Sequence, residues 1–196
     1  MLDRIVEYDH ELFLFLNNLG SEGWDGFWLI ITNKFTSVPL YLVLLFFCVK
    51  KLGWRMTLLV LAATGLMIAF TDQVANVFKY GFERLRPCHD PLLQGKMRIV
   101  KCGGKFGYFS AHAGSTFAVA TFFSLLLGRY YRSLTAILVL WALVVSYSRI
   151  YLGVHFPTDV LTGMVVGVSA GFLFLVLLRW TSKKVFFKSM EKPSAR

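Results

Sequence analysis

The stretch Ser148-Arg149-Ile150-Tyr151-Leu152-Gly153-Val154-His155-Phe156-Pro157-Thr158-Asp159 decides how this chain is read. It sets an arginine, a histidine and an aspartate between two long apolar runs. Ionisable groups at the edge of hydrocarbon are costly to hold there, so they mark functional positions. Pro157 suits the first turn of a helix, where its missing N–H costs nothing. A helix that starts there has His155 at its entrance and Asp159 about one turn further in, facing it. A carboxylate so placed orients an imidazole.

Outward from this stretch the chain is apolar. Of its 196 residues 56% are hydrophobic, and the mean hydropathy is +0.59. A soluble domain of this length carries more charge and less apolar surface. The expected fold is all-α: a polytopic membrane helical bundle of five or six transmembrane helices, with N-terminal amphipathic or interfacial helices. One integral-membrane domain fills residues 1–196. Spans are expected over 35–49, 54–70 (continuing as an amphipathic helix through Lys79), 110–128, 133–148 and 157–180, with a basic cytoplasmic tail over 181–196. Residues 1–20 and 24–32 are each too short to cross a bilayer alone. They read as two interfacial or re-entrant helices, or as one span broken at Gly20 and Gly23.

The formal net charge is +10. The basic residues lie mostly at the ends of apolar runs, where they set topology, and are not gathered into an arm for nucleic acid. Lys50, Lys51 and Arg55 share a side with Arg129, Arg132 and the C-terminal lysines, so that side is cytoplasmic. The loop 81–109 and the turn 149–157 then face outward, as in a bacterial inner-membrane protein with a periplasmic site. No cleavable signal peptide is expected. The outer loop is itself basic (Arg84, Arg86, Lys96, Arg98, Lys101, Lys105), against the topology rule, which points to an anionic ligand. Cys48 reads as a packed core residue. Cys88 and Cys102 read either as a disulfide on an oxidising face or as two free thiols. A zinc site from Cys88, His89 and Cys102 lacks a clear fourth ligand. No metal and no cofactor is expected.

Three segments converge on the outer face: Lys79 to Pro87, Phe109 to His112, and the opening stretch. Arg86 and Arg149 offer planar forks that match phosphate oxygens, and Lys79 adds a point charge. Ser110 is placed to cap the helix that follows, which turns its free backbone N–H groups outward as an anion site. His155, held by Asp159, can attack phosphorus as a neutral imidazole, and His112 can protonate the leaving oxygen. Asp72, Asn76 and Lys79 share one helix face. Asp72 is expected to face the bundle interior and either to position Lys79 or to be a plain hydrogen-bonded carboxylate. Phe106, Tyr108 and Phe109 read as loop packing or as a lipid entry path.

These residues resemble the type 2 phosphatidic acid phosphatase family, whose superfamily includes soluble vanadium haloperoxidases. The family's Lys-x6-Arg-Pro motif is matched by Lys79, Arg86 and Pro87. Its Ser-Arg-x5-His-x3-Asp motif is matched by Ser148, Arg149, His155 and Asp159. Its Pro-Ser-Gly-His motif is matched at Ser110 and His112, with Phe109 and Ala111 in the other two places. The resemblance implies a metal-independent phosphohydrolase with His155 as nucleophile, Asp159 as its orienting partner and His112 as general acid. Lys79, Arg86, Ser110 and Arg149 would bind the phosphate. The implied substrates are membrane lipid phosphates: undecaprenyl diphosphate, phosphatidylglycerol phosphate, phosphatidic acid or lipid A phosphate.

Three other readings compete. A lipid phosphotransferase would share the phosphohistidine. A transporter or binder of anionic lipids would need the cations but neither histidine. A metal hydrolase built on His112, His155 and Asp159 is opposed by the cations beside them and has too few acidic ligands.

Overall fold

Every apolar run expected to span the membrane forms a helix in the computed structural model, which describes residues 2–190, with side chains described for 4–185. The helices are α1 (Leu2–Asn18), α2 (Glu22–Ile31), α3 (Val38–Phe82), α4 (Ala111–Leu127), α5 (Leu134–Tyr151) and α6 (Pro157–Met190). No strand occurs among the described residues, only an isolated bridge between Leu85 and Phe106.

α3 is two helices in series. Gly53 has φ 77° and ψ 163°, a conformation that glycine reaches without steric cost. The arms 38–52 and 54–82 fold back on each other there. Leu44 and Cys48 of the first arm meet Thr57 and Val60 of the second around one small cavity. Lys50, Lys51 and Arg55 end up exposed at the hairpin tip. The second arm runs on to Phe82, so the polar loop begins at Glu83 and not at residue 81.

α4 is the central helix. Its apolar side chains are mostly buried, and they share one core with Leu44, Cys48, Val60, Met67, Leu138 and Leu175. It is held closest by α6, which presents Gly163, Gly167 and Gly171 to it. A Cβ on Gly163 would lie 2.6 Å from the Ser110 carbonyl oxygen. Small residues at four-residue spacing let two helix backbones approach this closely. The first turns of α4 and α6 are thereby locked together. Large apolar side chains such as Phe46, Leu66, Leu140, Val165 and Phe172 face outward. A soluble fold would bury such a belt, whereas hydrocarbon accepts it. Among the described residues three helices, α3, α5 and α6, are long and apolar enough to cross a membrane.

The N-terminal region is two separate helices, with the break at residues 19–21; Gly23 lies inside α2. Asn17 fixes the first of them. Its amide donates to the carbonyls of Ile150 (3.1 Å) and Tyr151 (2.9 Å), and its Oδ1 accepts from the Arg98 backbone N–H at 2.8 Å. Phe13 packs edge-on against Phe156, while Ile5, Tyr8, Leu12 and Phe15 stay exposed. α2 packs Trp28 between Tyr147 and Tyr151 of α5. Residues 181–190 of the expected tail continue α6; 191–196 lie outside the described residues.

Candidate active site

Helix ends build the site. α3 delivers Lys79 one turn before its left-handed cap at Glu83. The Leu85–Phe106 bridge then carries Arg86 back over the bundle. Its Nε donates to the Phe106 carbonyl (3.2 Å) and its Nη1 to the Val154 carbonyl (3.0 Å). Gly107 is needed beside it, because a Cβ there would come within 2.8 Å of Arg86 Cγ. Cys88 and Cys102 are joined as a disulfide, which closes the loop just beyond Arg86. That settles the open choice between bond and thiols. It also leaves no thiolate in the Cys88, His89, Cys102 cluster to hold a metal ion.

Ser110 caps α4 as expected, its Oγ accepting from Ala113 N–H at 3.4 Å. It is fully buried, and its backbone N–H donates to the Asp159 carbonyl at 3.0 Å. His112 follows in the first turn of α4. Arg149 sits in the last turn of α5, 8% exposed. Its Nη1 donates to Thr32 Oγ1, while its Nε is buried with no partner among the described residues.

His155 lies in the short link between α5 and α6, with Pro157 opening α6 as its sequence position predicts. It is 2% exposed. Its Nε2 is 3.1 Å from Arg86 Nη1. Its Nδ1 faces Asp159 Oδ2 at 3.5 Å, too far for a good hydrogen bond. Asp159 faces His155 as the spacing requires, but its own bonds go elsewhere. Oδ2 accepts from Phe156 N–H (2.9 Å) and Oδ1 from Arg84 Nη1 (2.8 Å). Burial first, then the charges of Arg86, Arg149 and Lys79, hold the His155 imidazole well below its ordinary pKa of 6.5, against a weaker opposite pull from the Gly107 carbonyl. It is therefore neutral at physiological pH.

Lys79, Arg86, His112, Arg149 and His155 line one cavity of about 310 Å³. Ser110 and Asp159 support its walls without lining it. The opposite wall is the α2–α3 connection, including Thr32, Asn33 and Lys34. Asp72 lines the cavity as well, on the side of α3 that carries Lys79; as whole residues Asp72 and Asn76 are both exposed. Of the loop cations, only Arg86 reaches the cavity. Arg84 pairs with Asp9 and Asp159, Arg98 pairs with Asp25, and Lys96, Lys101 and Lys105 are exposed. Most of the loop's charge thus serves internal ion pairs and surface. Phe109 is fully buried and edge-on to Phe78 at 5.3 Å. Tyr108 packs on Phe82 and shares a hydrogen bond with Thr162 at 3.1 Å. Phe106, Tyr108 and Phe109 do not line the cavity, and Tyr108 lines a separate groove with Phe82, Arg84 and Thr162.

Residues 54–183 match the model of the PAP2 superfamily. The chain belongs to the PAP2 superfamily. It is 36% identical to the lipid A 4'-phosphatase of Bacteroides thetaiotaomicron, over 89% of this chain and 78% of that protein. It is 34% identical to the lipid A 4'-phosphatase of Porphyromonas gingivalis, over 99% of this chain and 83% of that protein. The crystal structure of Aquifex aeolicus LpxE superposes with a TM-score of 0.66 at 25% identity, covering 84% of this chain and 93% of that one. The protein is an integral-membrane lipid phosphatase.

Three features of this PAP2 phosphatase escaped sequence reasoning. The Thr32–Lys34 wall carries no motif. Asp9 looks like one acid among several on an amphipathic helix. The stripe Gly163, Gly167 and Gly171 was readable, since its four-residue period in an apolar helix signals close packing.

Proposed function

We propose that this enzyme removes a phosphate monoester group from lipid A through a phosphohistidine on His155. The observation that carries the reading is the convergence of Lys79, Arg86 and Arg149 with two imidazoles on one cavity. The likeness to two lipid A 4'-phosphatases over most of the chain supports the substrate.

The phosphate enters between Lys79, Arg86 and Arg149. The Arg149 Nε, which has no partner among the described residues, is a ready donor. Arg86 turns from His155 Nε2 to a phosphate oxygen and frees the ring's lone pair. Nε2 then attacks phosphorus in line. The bond from phosphorus to the glycolipid oxygen breaks, and His112 protonates that oxygen. Deprotonated His112 next takes a proton from water, and the oxygen of that water attacks phosphorus. The P–N bond breaks, releasing inorganic phosphate and restoring both rings. Charge forming on the phosphoryl oxygens is met by fixed cations in a largely desolvated site, where such interactions are strongest. Ser110 caps α4 so that its N-terminus faces the same anion.

The orientation belongs to the same proposal: the cavity opens on the periplasmic side of the inner membrane. The exposed cations of the far end fit the cytoplasm, and the Cys88–Cys102 bond fits an oxidising compartment. The test is phosphate release from purified lipid A in detergent with EDTA present. The expected product is lipid A lighter by one phosphate group, at a rate that chelation leaves within about twofold. An intact lipid A, or a rate abolished by chelation and restored by a divalent ion, would overturn the reading.

A further inference from the structure

The amphipathic helix α1 contributes a buried charge beside the site, outside its cavity. Asp9 is only 4% exposed, whereas the other acids of the same helix, Glu7 and Glu11, are exposed. Its Oδ2 pairs with Arg84 Nη2 at 2.6 Å. Its Oδ1 accepts the backbone N–H of Thr158 at 2.9 Å, and the Thr158 hydroxyl also donates to Oδ2, at 2.5 Å. From the same guanidinium, Arg84 Nη1 bonds Asp159 Oδ1 at 2.8 Å and Thr158 Oγ1 at 2.7 Å. The Arg84 plane lies over the Phe156 ring at 4.3 Å. Apart from the Asp9–Arg84 pair itself, each contact falls on the residues just after His155, and the carboxylate that Arg84 holds is the one facing His155 Nδ1.

We propose that Asp9 and Arg84 are positioning residues for His155, acting through Asp159. The inference rests on His155 being the nucleophile. Asp159 cannot fix itself: one oxygen is bound by the Phe156 N–H, and the other must be held by something with a defined direction. A guanidinium supplies that through its planar fork, whereas a lysine ammonium would not. Asp9 in turn balances the charge of Arg84 and fixes its plane, so Arg84 does not draw Asp159 away from the imidazole. The chain of contacts runs α1 to loop to α6 to nucleophile, and it makes the docking of α1 a condition for chemistry. Placement errors of about 1 Å at a reacting group cost rates of about 100-fold.

The test uses the full-length enzyme in detergent, with Asp9→Asn, Arg84→Lys, the double variant and His155→Ala. Asp9→Asn and Arg84→Lys avoid the buried unpaired charges that Arg84→Ala would leave, so folded protein is expected from both. Each should lower kcat by about 10- to 100-fold while KM stays within about twofold and the melting temperature within a few degrees. The double variant should be no slower than the slower single one, because both changes cut the same chain. Effects on kcat that multiply, a kcat within twofold of wild type in Asp9→Asn, or a loss confined to KM or to folding would overturn the proposal. His155→Ala separates the two readings. If it keeps wild-type activity, the nucleophile assignment fails; if it is inactive while Asp9→Asn is fully active, only the positioning role fails.

Discussion

Both ends of the bundle are basic, but they hold their charge under different physical conditions. At the far end Lys50, Lys51, Arg55, Arg129 and Arg132 are exposed. Lys51 lies over the rings of Tyr130 and Tyr131, and Arg129 over Tyr130. These cations are solvated, and each is worth little to its neighbours. At the cavity end Lys79 and Arg86 are half-buried and Arg149 is buried. A cation with few water partners keeps most of its attraction for an incoming anion. The difference teaches that charge count sets topology, while desolvated charge makes a site.

That contrast can be broken from either end. Arg149→Ala should have the largest effect, lowering kcat/KM by about 100- to 1,000-fold, in line with the loss of one preorganised donor to a transition state. Arg149→Lys should recover only part of it, because the fork is lost. Steady-state phosphate release measures both.

Arg86→Gln should act on pH dependence as well as rate. His155 shares the cavity with Lys79, Arg86, His112 and Arg149 and has Asp159 at its Nδ1, and the three cations among them hold its proton affinity down. With its native pKa well below 6.5, the ring stays neutral and competent as pH falls through 6.5. Only at lower pH does protonation remove activity. The unfolded chain takes up that proton near 6.5, so stability declines below that point even while activity persists. Removing the Arg86 charge should move the acid limb of kcat/KM upward, toward 6.5. A limb that stays fixed would contradict the assignment of that limb to His155.

Breaking the Cys88–Cys102 bond affects the cavity end alone. The pair closes a loop with a sequence separation of 14, for which chain-entropy arguments give about 3 kcal/mol. The double serine variant should melt at a lower temperature and lose less than about tenfold in rate, because Arg86 keeps its backbone bond to the Lys105 carbonyl (3.0 Å). Smallest of all, Arg132→Ala at the far end should leave kcat/KM within about twofold. A large loss there would erase the distinction between the two ends.

Much of this architecture was legible in the sequence. Apolar runs gave the helices, because hydrocarbon demands length and composition that no other context requires. Lys79, Arg86, His112, Arg149 and His155 were legible because ionisable groups beside apolar runs are rare enough to stand out. The pairing of charges was not. Arg84 and Arg86 are two residues apart and chemically identical, yet one turns to Asp9 and Asp159 and the other to the cavity. That choice depends on partners about 75 positions away in the chain, which local spacing does not record. The same holds for the Thr32 contact of Arg149. The hairpin at Gly53 was marked only as a gap between two spans, and the close approach of α4 and α6 lay unread in three glycines.

The central claim is that phosphorus becomes bonded to His155 during turnover. Lipid A labelled with radioactive phosphate, mixed with enzyme and quenched in base within the first turnover, gives the most direct test. The account predicts an acid-labile, base-stable label that maps to the peptide carrying His155 and is absent from His155→Ala. Full hydrolysis by His155→Ala, or a label on any other residue, would contradict it.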